Sequence, residues 1–183
     1  TSRSEMEIHM NTTDNLEQFL PILRTASIFS GMSDSEILSV LHCMGAFVSD
    51  KEKDSYLLRA GDTTSTMVLL LSGSAIVIQE DVWGHRNIIL PGQTFAEPFA
   101  ASNGTALNIS VVVTKDCSLL YLDIHRILGV CPSACEHHTH LIQNLISVLA
   151  KKLLLFNEKI THMSKRTTKE KLLSYLSAEA QRQ

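Results

Sequence analysis

Cysteine is scarce in this chain. Four thiols in 183 residues are too few to staple a fold of this length, so the sequence points to a reducing cytoplasm and not to a disulfide scaffold. A strong charge of either sign is also missing. Sixteen basic and 19 acidic residues give a formal net charge of −3. Neutralising phosphates takes clustered Lys and Arg, so this balance argues against the segment, by itself, gripping nucleic acid tightly. No apolar run approaches the roughly 20 residues a membrane span requires. No compositional bias suggests disorder, and a hydrophobic fraction of 44% is enough for a core. The length fits one domain of ordinary size with an appendage. Residues 1–13 are polar and patternless, and read as a disordered tail or a cloning remnant.

What is present is a glycine-punctuated centre, Tyr56 to Phe99. Strand-like runs at Tyr56–Leu58, Met67–Leu71, Ala75–Gln79 and Asn87–Leu90 are separated by turn signals. These are Gly61-Asp62, Ser72-Gly73-Ser74, Trp83-Gly84-His85 and Pro91-Gly92-Gln93. Short strands at this even spacing predict a small β-roll or barrel. Before it, Asp14–Leu23 has the spacing of a short amphipathic helix that Pro21 kinks or splits. Ser33 with Glu36 forms a capping-box signature for a second helix, whose buried face is Ile37, Leu38, Val40, Leu41 and Met44. Phe47–Ser49 starts the sheet, and Asp50–Asp54 reads as a charged hairpin turn. After the centre, Ser102-Asn103-Gly104-Thr105 marks a loop. Ile109–Val113 and Leu119–Leu122 read as two further strands, and Ile124–Gly129 as a helical turn.

From Ser133 to about Met163 the pattern becomes that of one long helix. Ile142, Ile146, Leu149, Leu153, Phe156, Ile160 and Met163 alternate spacings of four and three, an a/d seam sustained for three heptads. Leu141, Leu145, Val148 and Leu155 make a second stripe. A helix apolar on two faces must bury both. One face suits the roll, and the other predicts a homodimer with this helix at the two-fold axis. Beyond it, Thr167 and Glu170 form another capping box, opening a helix that carries Leu172, Leu173, Tyr175 and Leu176. Nothing in the remaining residues covers that apolar face, which suggests a truncated second domain.

In this order, several short motifs together resemble the Crp/Fnr family of bacterial transcription regulators. They are Ile28-Phe29-Ser30-Gly31-Met32-Ser33 with Glu36, Ala60-Gly61-Asp62, Leu71-Ser72-Gly73-Ser74, and Pro91-Gly92-Gln93-Thr94-Phe95-Ala96-Glu97. Leu149-Ala150-Lys151-Lys152-Leu153 and Ser164-Lys165-Arg166-Thr167 with Lys169-Glu170-Lys171-Leu172 complete the set. The resemblance covers residues 16–180. It implies an α+β fold: a double-stranded β-helix, or jelly-roll-like β-roll, flanked by helices and followed by a long C-terminal dimerisation helix. It divides the chain into an effector domain over 14–132 like that for cyclic nucleotides, a dimerisation helix over 133–163, and a hinge with the first helix of a truncated helix-turn-helix domain over 164–183. The partners it implies are a second copy, a small-molecule effector, and DNA through a domain C-terminal to this chain, with no membrane.

Members of that family that bind cyclic AMP read it with a Gly-Glu pair followed, about ten residues later, by Arg and then Ser or Thr. A cyclic phosphate needs a cationic fork and backbone donors, and a ribose hydroxyl needs a carboxylate. Here Ala96 takes the Gly position and Glu97 remains, while Leu107 and Asn108 stand at the Arg and Ser/Thr positions. No Arg lies between Ile88 and Ile124. A buried phosphate without its cation costs on the order of several kcal/mol, so cyclic AMP is not the expected ligand. The residues that meet adenine across the family's dimer fall on Phe156 and Asn157. The resulting pocket, Phe95, Ala96, Glu97, Phe99, Leu107, Asn108, Phe156 and Asn157, suits a small organic effector. Glu97 and Asn157 would orient it, and Arg86 or Lys152 would meet an anion if they point inward. The competing reading is that these side chains simply fill the roll and no effector binds.

Other chemistry has weaker support. Cys135 and His138 share a face near the start of the long helix, and Cys131 precedes them, which allows a redox or metal sensor. The spacing is no recognised metal motif, and no metal or other cofactor is expected. The family's iron–sulfur members carry their cysteines near the N-terminus, where this chain has none before Cys43. A haem would call on His85 or His125. A cupin-like metal enzyme would need inward-facing His residues on strands, and the roll offers only His85 with Glu97; no catalysis is expected. Lys165, Arg166, Lys169 and Lys171 form a basic run placed to approach DNA phosphates, although a solvated helix start explains it equally well.

Overall fold

The computed structural model describes residues 16–79, 86–102, 104–129, 136–165 and 167–182. The chain divides into two units, Thr1–Leu145 and Ile146–Gln183. The first holds six antiparallel strands: β1 (Phe47–Lys51), β2 (Tyr56–Leu58), β3 (Thr66–Gln79), β4 (Arg86–Ile89), β5 (Thr94–Phe95) and β6 (Ile109–Asp123).

Two long strands organise the roll. β3 and β6 pair along their whole length, from Thr66 opposite Asp123 to Gln79 opposite Ile109. Their two halves belong to different layers. The outer half of β6 carries β2, and the matching half of β3 carries β4. The inner halves carry β1 and β5. The sheet therefore folds on itself where β3 and β6 bend together, and alternating side chains from both layers meet inside. Val68, Leu70, Ala75, Ile89, Phe95, Ala96, Val111, Val113, Cys117 and Leu119 form that interior.

The bend corrects the two-strand reading on each side. Ser72-Gly73-Ser74 is not a turn between strands but a run of register shifts inside β3. Ile109–Val113 and Leu119–Leu122 likewise belong to one strand. Gly73 sits at φ +82, and a Cβ there would lie 2.2 Å from the Asp116 carbonyl oxygen. Glycine is thus needed for close backbone approach at a bulge, a use that looks like a turn in sequence. Asp50–Asp54 is not a hairpin turn either, because β1 and β2 both pair with β6. The segment crosses the bend, with Asp54 N–H donating to the Val113 carbonyl, Val113 N–H to Ser55, and Lys53 N–H to Asp116 Oδ1.

The N-terminal helix is split as its proline requires. Glu17–Phe19 is a 3-10 turn, and α1 (Leu20–Leu23) begins there with Pro21 in its first turn, where a missing N–H costs nothing. Residues before Leu16 lie outside the described set, as does the Trp83-Gly84-His85 turn. α2 (Asp34–Cys43) starts on the expected capping box: Ser33 N–H donates to Glu36 Oε2 and Glu36 N–H to Ser33 Oγ. Ile37, Val40, Leu41 and Met44 are buried as the spacing predicts, and Leu38 is half-buried. Arg24 pairs with Asp34 through both carboxylate oxygens, which raises the guanidinium pKa and lowers the carboxyl pKa, in each case chiefly through the hydrogen bond. α3 (Glu97–Ala101) and α4 (Ile124–Leu128) are single turns or little more.

α5 (Glu136–Met163) runs out of the first unit into the second. α6 (Thr168–Arg182) follows, and its predicted capping box is present: Thr167 N–H donates to Glu170 Oε2 and Glu170 N–H to Thr167 Oγ1. Within this second unit His162 Nδ1 lies 2.7 Å from Ser174 Oγ, and its ring meets Tyr175 edge-on. No helix among the described residues is long and apolar enough to cross a membrane.

Candidate functional site

The connection from β5 to α3 turns through a left-handed, non-glycine residue. Phe95 ends the strand facing inward, and Ala96 then adopts the left-handed conformation at φ +69. A β-carbon in that region is strained by about 1–2 kcal/mol. The reversal aims Glu97 into the protein at the first position of α3, where it is wholly buried. Pro98 occupies the next position of that turn, where its ring suits the helix start.

Leu107 is buried and pinned by backbone bonds. Gly61 N–H donates to its carbonyl, and its own N–H donates to Asp62. Asn108 beside it is exposed, and Phe99 is half-buried. The structure thus brings Phe95 and Ala96 into the interior cluster, while Asn108 points its surface to solvent. Phe156 and Asn157 belong to the second unit, where both are exposed.

The chemistry of the interior is apolar. The sole cation from Ile88 to Ile124 is Lys115, and it is exposed at the bend. Burial raises the Tyr121 hydroxyl pKa, with the nearby Cys117 adding to the rise. Burial likewise raises the Cys117 thiol, helped by Asp50 and Asp116. Such a thiol is a poor nucleophile. Glu97 is buried beside this apolar interior, and no described Lys or Arg is buried with it.

The predicted dimer seam is split between the two units. Ile142 and Leu149 are half-buried. Ile146, Leu153, Phe156, Ile160 and Met163 are exposed, with Leu153 at 60%, Phe156 at 61% and Met163 at 64%. Of the second stripe, Leu141, Leu145 and Val148 are buried, whereas Leu155 is 48% exposed.

The remaining candidates separate clearly. Cys131, Cys135, His85 and Arg166 lie outside the described residues, as does the side chain of Arg86. Lys152 is exposed and engaged in an interaction of its own. His138 is buried; its Nε2 lies 3.3 Å from the Arg126 carbonyl oxygen, and its Nδ1 has no hydrogen-bond partner. His125 is exposed on α4. No three described His, Cys, Asp or Glu side chains are grouped to hold a metal ion. Lys165, Lys169 and Lys171 are exposed around the start of α6.

Two groups escaped the sequence reading. Phe47 on β1 stacks on Tyr121 of β6 with ring centroids 5.0 Å apart, at the open edge of the roll; the pairing register is what brings them together. Asn144 donates to the carbonyls of Ile28 and Ser30. Its signal was a polar residue next to the buried Leu145 and one turn after the buried Leu141.

No family model and no curated protein matches this sequence. Solved structures do resemble it in fold. A cyclic nucleotide-binding domain from Methylobacillus flagellatus superposes with a TM-score of 0.69 at 16% identity, covering 88% of this chain and 91% of its own. The catabolite activator protein of Thermus thermophilus gives 0.64 at 19% identity over 76% of this chain. This chain spans 63% of that activator's length. The sensor domain of the transcriptional regulator DNR from Pseudomonas aeruginosa gives 0.57 at 14% identity, with coverages of 85% and 98%. At these identities the likeness is one of fold: the jelly-roll of cyclic-nucleotide-binding domains, with a C-terminal helix.

Proposed function

We propose that this chain is the effector-sensing and dimerisation portion of a DNA-binding transcription regulator whose effector is a small organic molecule other than cyclic AMP. In this reading the roll, residues 14–132, takes the effector. The helix over 133–163 joins two copies, and residues 164–183 form the hinge toward the DNA-binding part. Effector binding favours one arrangement of the paired helices over another, and the coupling equals the difference in effector affinity between the two arrangements.

The observation that carries the reading is the a/d seam. Five of its seven positions, from Ile146 to Met163, are exposed apolar side chains on one helix. Heptad spacing of this kind is specific to helix pairing, and a parallel pair around a two-fold axis brings identical seams together. The choice of effector rests on Leu107 and on Ala96, which remove the cation and the Gly of the phosphate reader while Glu97 stays.

Sedimentation velocity and ligand screening test this together. The chain should sediment as a dimer at micromolar concentration. Cyclic AMP at millimolar concentration should leave the thermal midpoint unchanged, because a ligand that does not bind the folded state cannot stabilise it. A monomer throughout the micromolar range removes the dimerisation role. A cyclic AMP-induced rise of several degrees removes the effector assignment.

A further inference from the structure

The first part of α5 is tied to the helical turns that precede the roll by contacts that the reading above does not use. They lie inside the first unit. Asn144 donates from Nδ2 to the Ile28 carbonyl at 3.0 Å and to the Ser30 carbonyl at 2.9 Å. A side-chain amide has two N–H donors, and both are committed to one short stretch of backbone. The acceptors are themselves held in place. Ile28 and its neighbour Phe29 are buried almost completely. Ser30 N–H donates to the Ser27 carbonyl, and Met32 N–H to the Phe29 carbonyl. Gly31 carries the chain round at φ +75, and a Cβ there would stand 3.3 Å from His140 Nε2.

Hydrophobic burial does not explain why α5 sits in this rotational setting. Two apolar stripes run side by side along its start. Leu141 and Leu145 are buried, whereas Ile142 is half-buried and Ile146 is 60% exposed. Each stripe has the four-residue spacing of one helix face, and the two are offset by one residue, about 100° of rotation. Leu and Ile are isomers, so either stripe offers the same number of apolar carbons for burial. At the next positions, Val148 and Leu149, the second stripe is larger by one methylene. Apolar area alone leaves the two settings close in population and slightly favours the one not observed.

Asn144 breaks that tie. It lies three residues after Leu141 and one before Leu145, on the buried side of the helix. Turning α5 by one residue would put Leu145 where Asn144 stands, and the Ile28 and Ser30 carbonyls would face an apolar side chain. The Ser30 bond is at the surface, where water can replace it. The Ile28 bond is part-buried, and losing its donor there costs about tenfold or more in population. The other polar contacts of this stretch discriminate less. His138 is buried, with Nε2 3.3 Å from the Arg126 carbonyl oxygen. It lies three residues before Leu141 and four before Ile142, so it adjoins both stripes. His137 places Nδ1 3.2 Å from Glu36 Oε1, with both side chains part-exposed, and a contact so open to water adds little.

We infer that Asn144 is the positioning residue that sets the rotation of α5, and through it the face of the helix that is offered to a second copy. One Asn in an apolar stripe selects register in this way in paired helices. Here it acts between a helix and the turn on which the helix rests. The setting it selects keeps Leu141 and Leu145 inside and leaves Ile142 and Ile146 for the seam. The rotation stands on contacts of the first unit alone; its consequence for pairing rests on the dimer proposed above. In the other setting Ile142 and Ile146 would turn inward, so the pairing surface would change with no substitution in the seam itself.

Hydroxyl-radical footprinting of the folded chain, read residue by residue in a mass spectrometer, tests the rotation. The variants are Asn144→Leu and the swap of Asn144→Leu with Leu145→Asn. The swap moves the donor by one position and should carry the helix with it. Leu141 should be protected in wild type. In Asn144→Leu both settings are populated, and oxidation of Leu141 should rise about threefold or more; in the swap it should rise about tenfold. Sedimentation velocity on the same samples reads the consequence for pairing, which the swap should weaken by about tenfold or more. If the swap does not fold, Asn144→Leu alone decides. Equal protection of Leu141 in the folded chains overturns the inference. So does a rise at Leu141 matched by rises at Ile37 and Leu41 of α2, which reports a loosened core and not a rotated helix. A wild-type chain that stays monomeric removes the dimer and the pairing consequence, and the footprint still decides the rotation.

Discussion

Helix α5 crosses from one unit into the other, and its two ends meet different surroundings. Leu141 and Leu145 are buried in the first unit, and Asn144 beside them is committed to two backbone carbonyls. Leu153, Phe156, Ile160 and Met163, on the same helix, are 46–64% exposed. Both ends carry apolar residues at helical spacing, so the difference lies in what they face. Fully burying one such side chain is worth about 1.5–3 kcal/mol, and the exposed end forgoes most of that. A self-sufficient core and an unfilled one therefore share a single helix. In the proposed sensor, that division would make stability a property of the roll and pairing a separate equilibrium.

The strongest way to break the comparison is to break the roll. Gly73→Ala puts a Cβ 2.2 Å from the Asp116 carbonyl oxygen and 2.7 Å from Cys117 Cβ, at φ +82. Both β3 and β6 must shift to admit it. The expected loss is about 3–5 kcal/mol, in the range of backbone strain combined with a core clash. Urea unfolding should show the midpoint falling with little change in slope. A loss below about 1 kcal/mol would mean that the bend is free to relax and is not what holds the two layers in register.

The converse substitution acts on the second unit alone. Leu153→Glu changes a side chain that is already 60% exposed in this chain. It should leave the urea midpoint of the roll within error, while weakening self-association by about a hundredfold, since two charges face each other at the centre of the seam. Sedimentation equilibrium reads the second effect. Coupled losses of both would show that the two ends of α5 are not independent.

The exposed apolar face of α5 was legible in the sequence because heptad spacing reports a helix face directly. The capping boxes at Ser33 and Thr167 were legible for the same reason: their partners are three residues apart. The jelly-roll itself was legible as short apolar runs between glycines, although its two longest strands were each read as a pair. Bulges and turns use the same residues, and only the partner strand distinguishes them: Gly73 faces Asp116, 43 positions away, which no local pattern announces. The same limit hid a second long-range contact. His137 meets Glu36 across about a hundred residues, and in sequence only His138 of the α5 histidines stood out, beside Cys135 as a redox or metal candidate. Within the candidate site, the sequence indicated the missing cation at Leu107 but not the backbone state of Ala96.

That backbone state gives the smallest and sharpest effect. Ala96→Gly relieves about 1–2 kcal/mol of left-handed strain. It also loosens the unfolded chain, which costs about 0.5–1 kcal/mol. Ala96 is buried in the roll interior, so removing its methyl costs about a further 0.8 kcal/mol. The three contributions nearly cancel, and the thermal midpoint should move by less than about 2 °C. Cyclic AMP should still fail to stabilise the variant, because the substitution restores the tight turn without the cation missing at Leu107. A clear rise in midpoint would show that the methyl contributes little packing. A clear fall would show that the methyl fills space a glycine at this position would leave open. Stabilisation by cyclic AMP after this one change would mean that the backbone at residue 96, and not the charge at residue 107, had kept the nucleotide out.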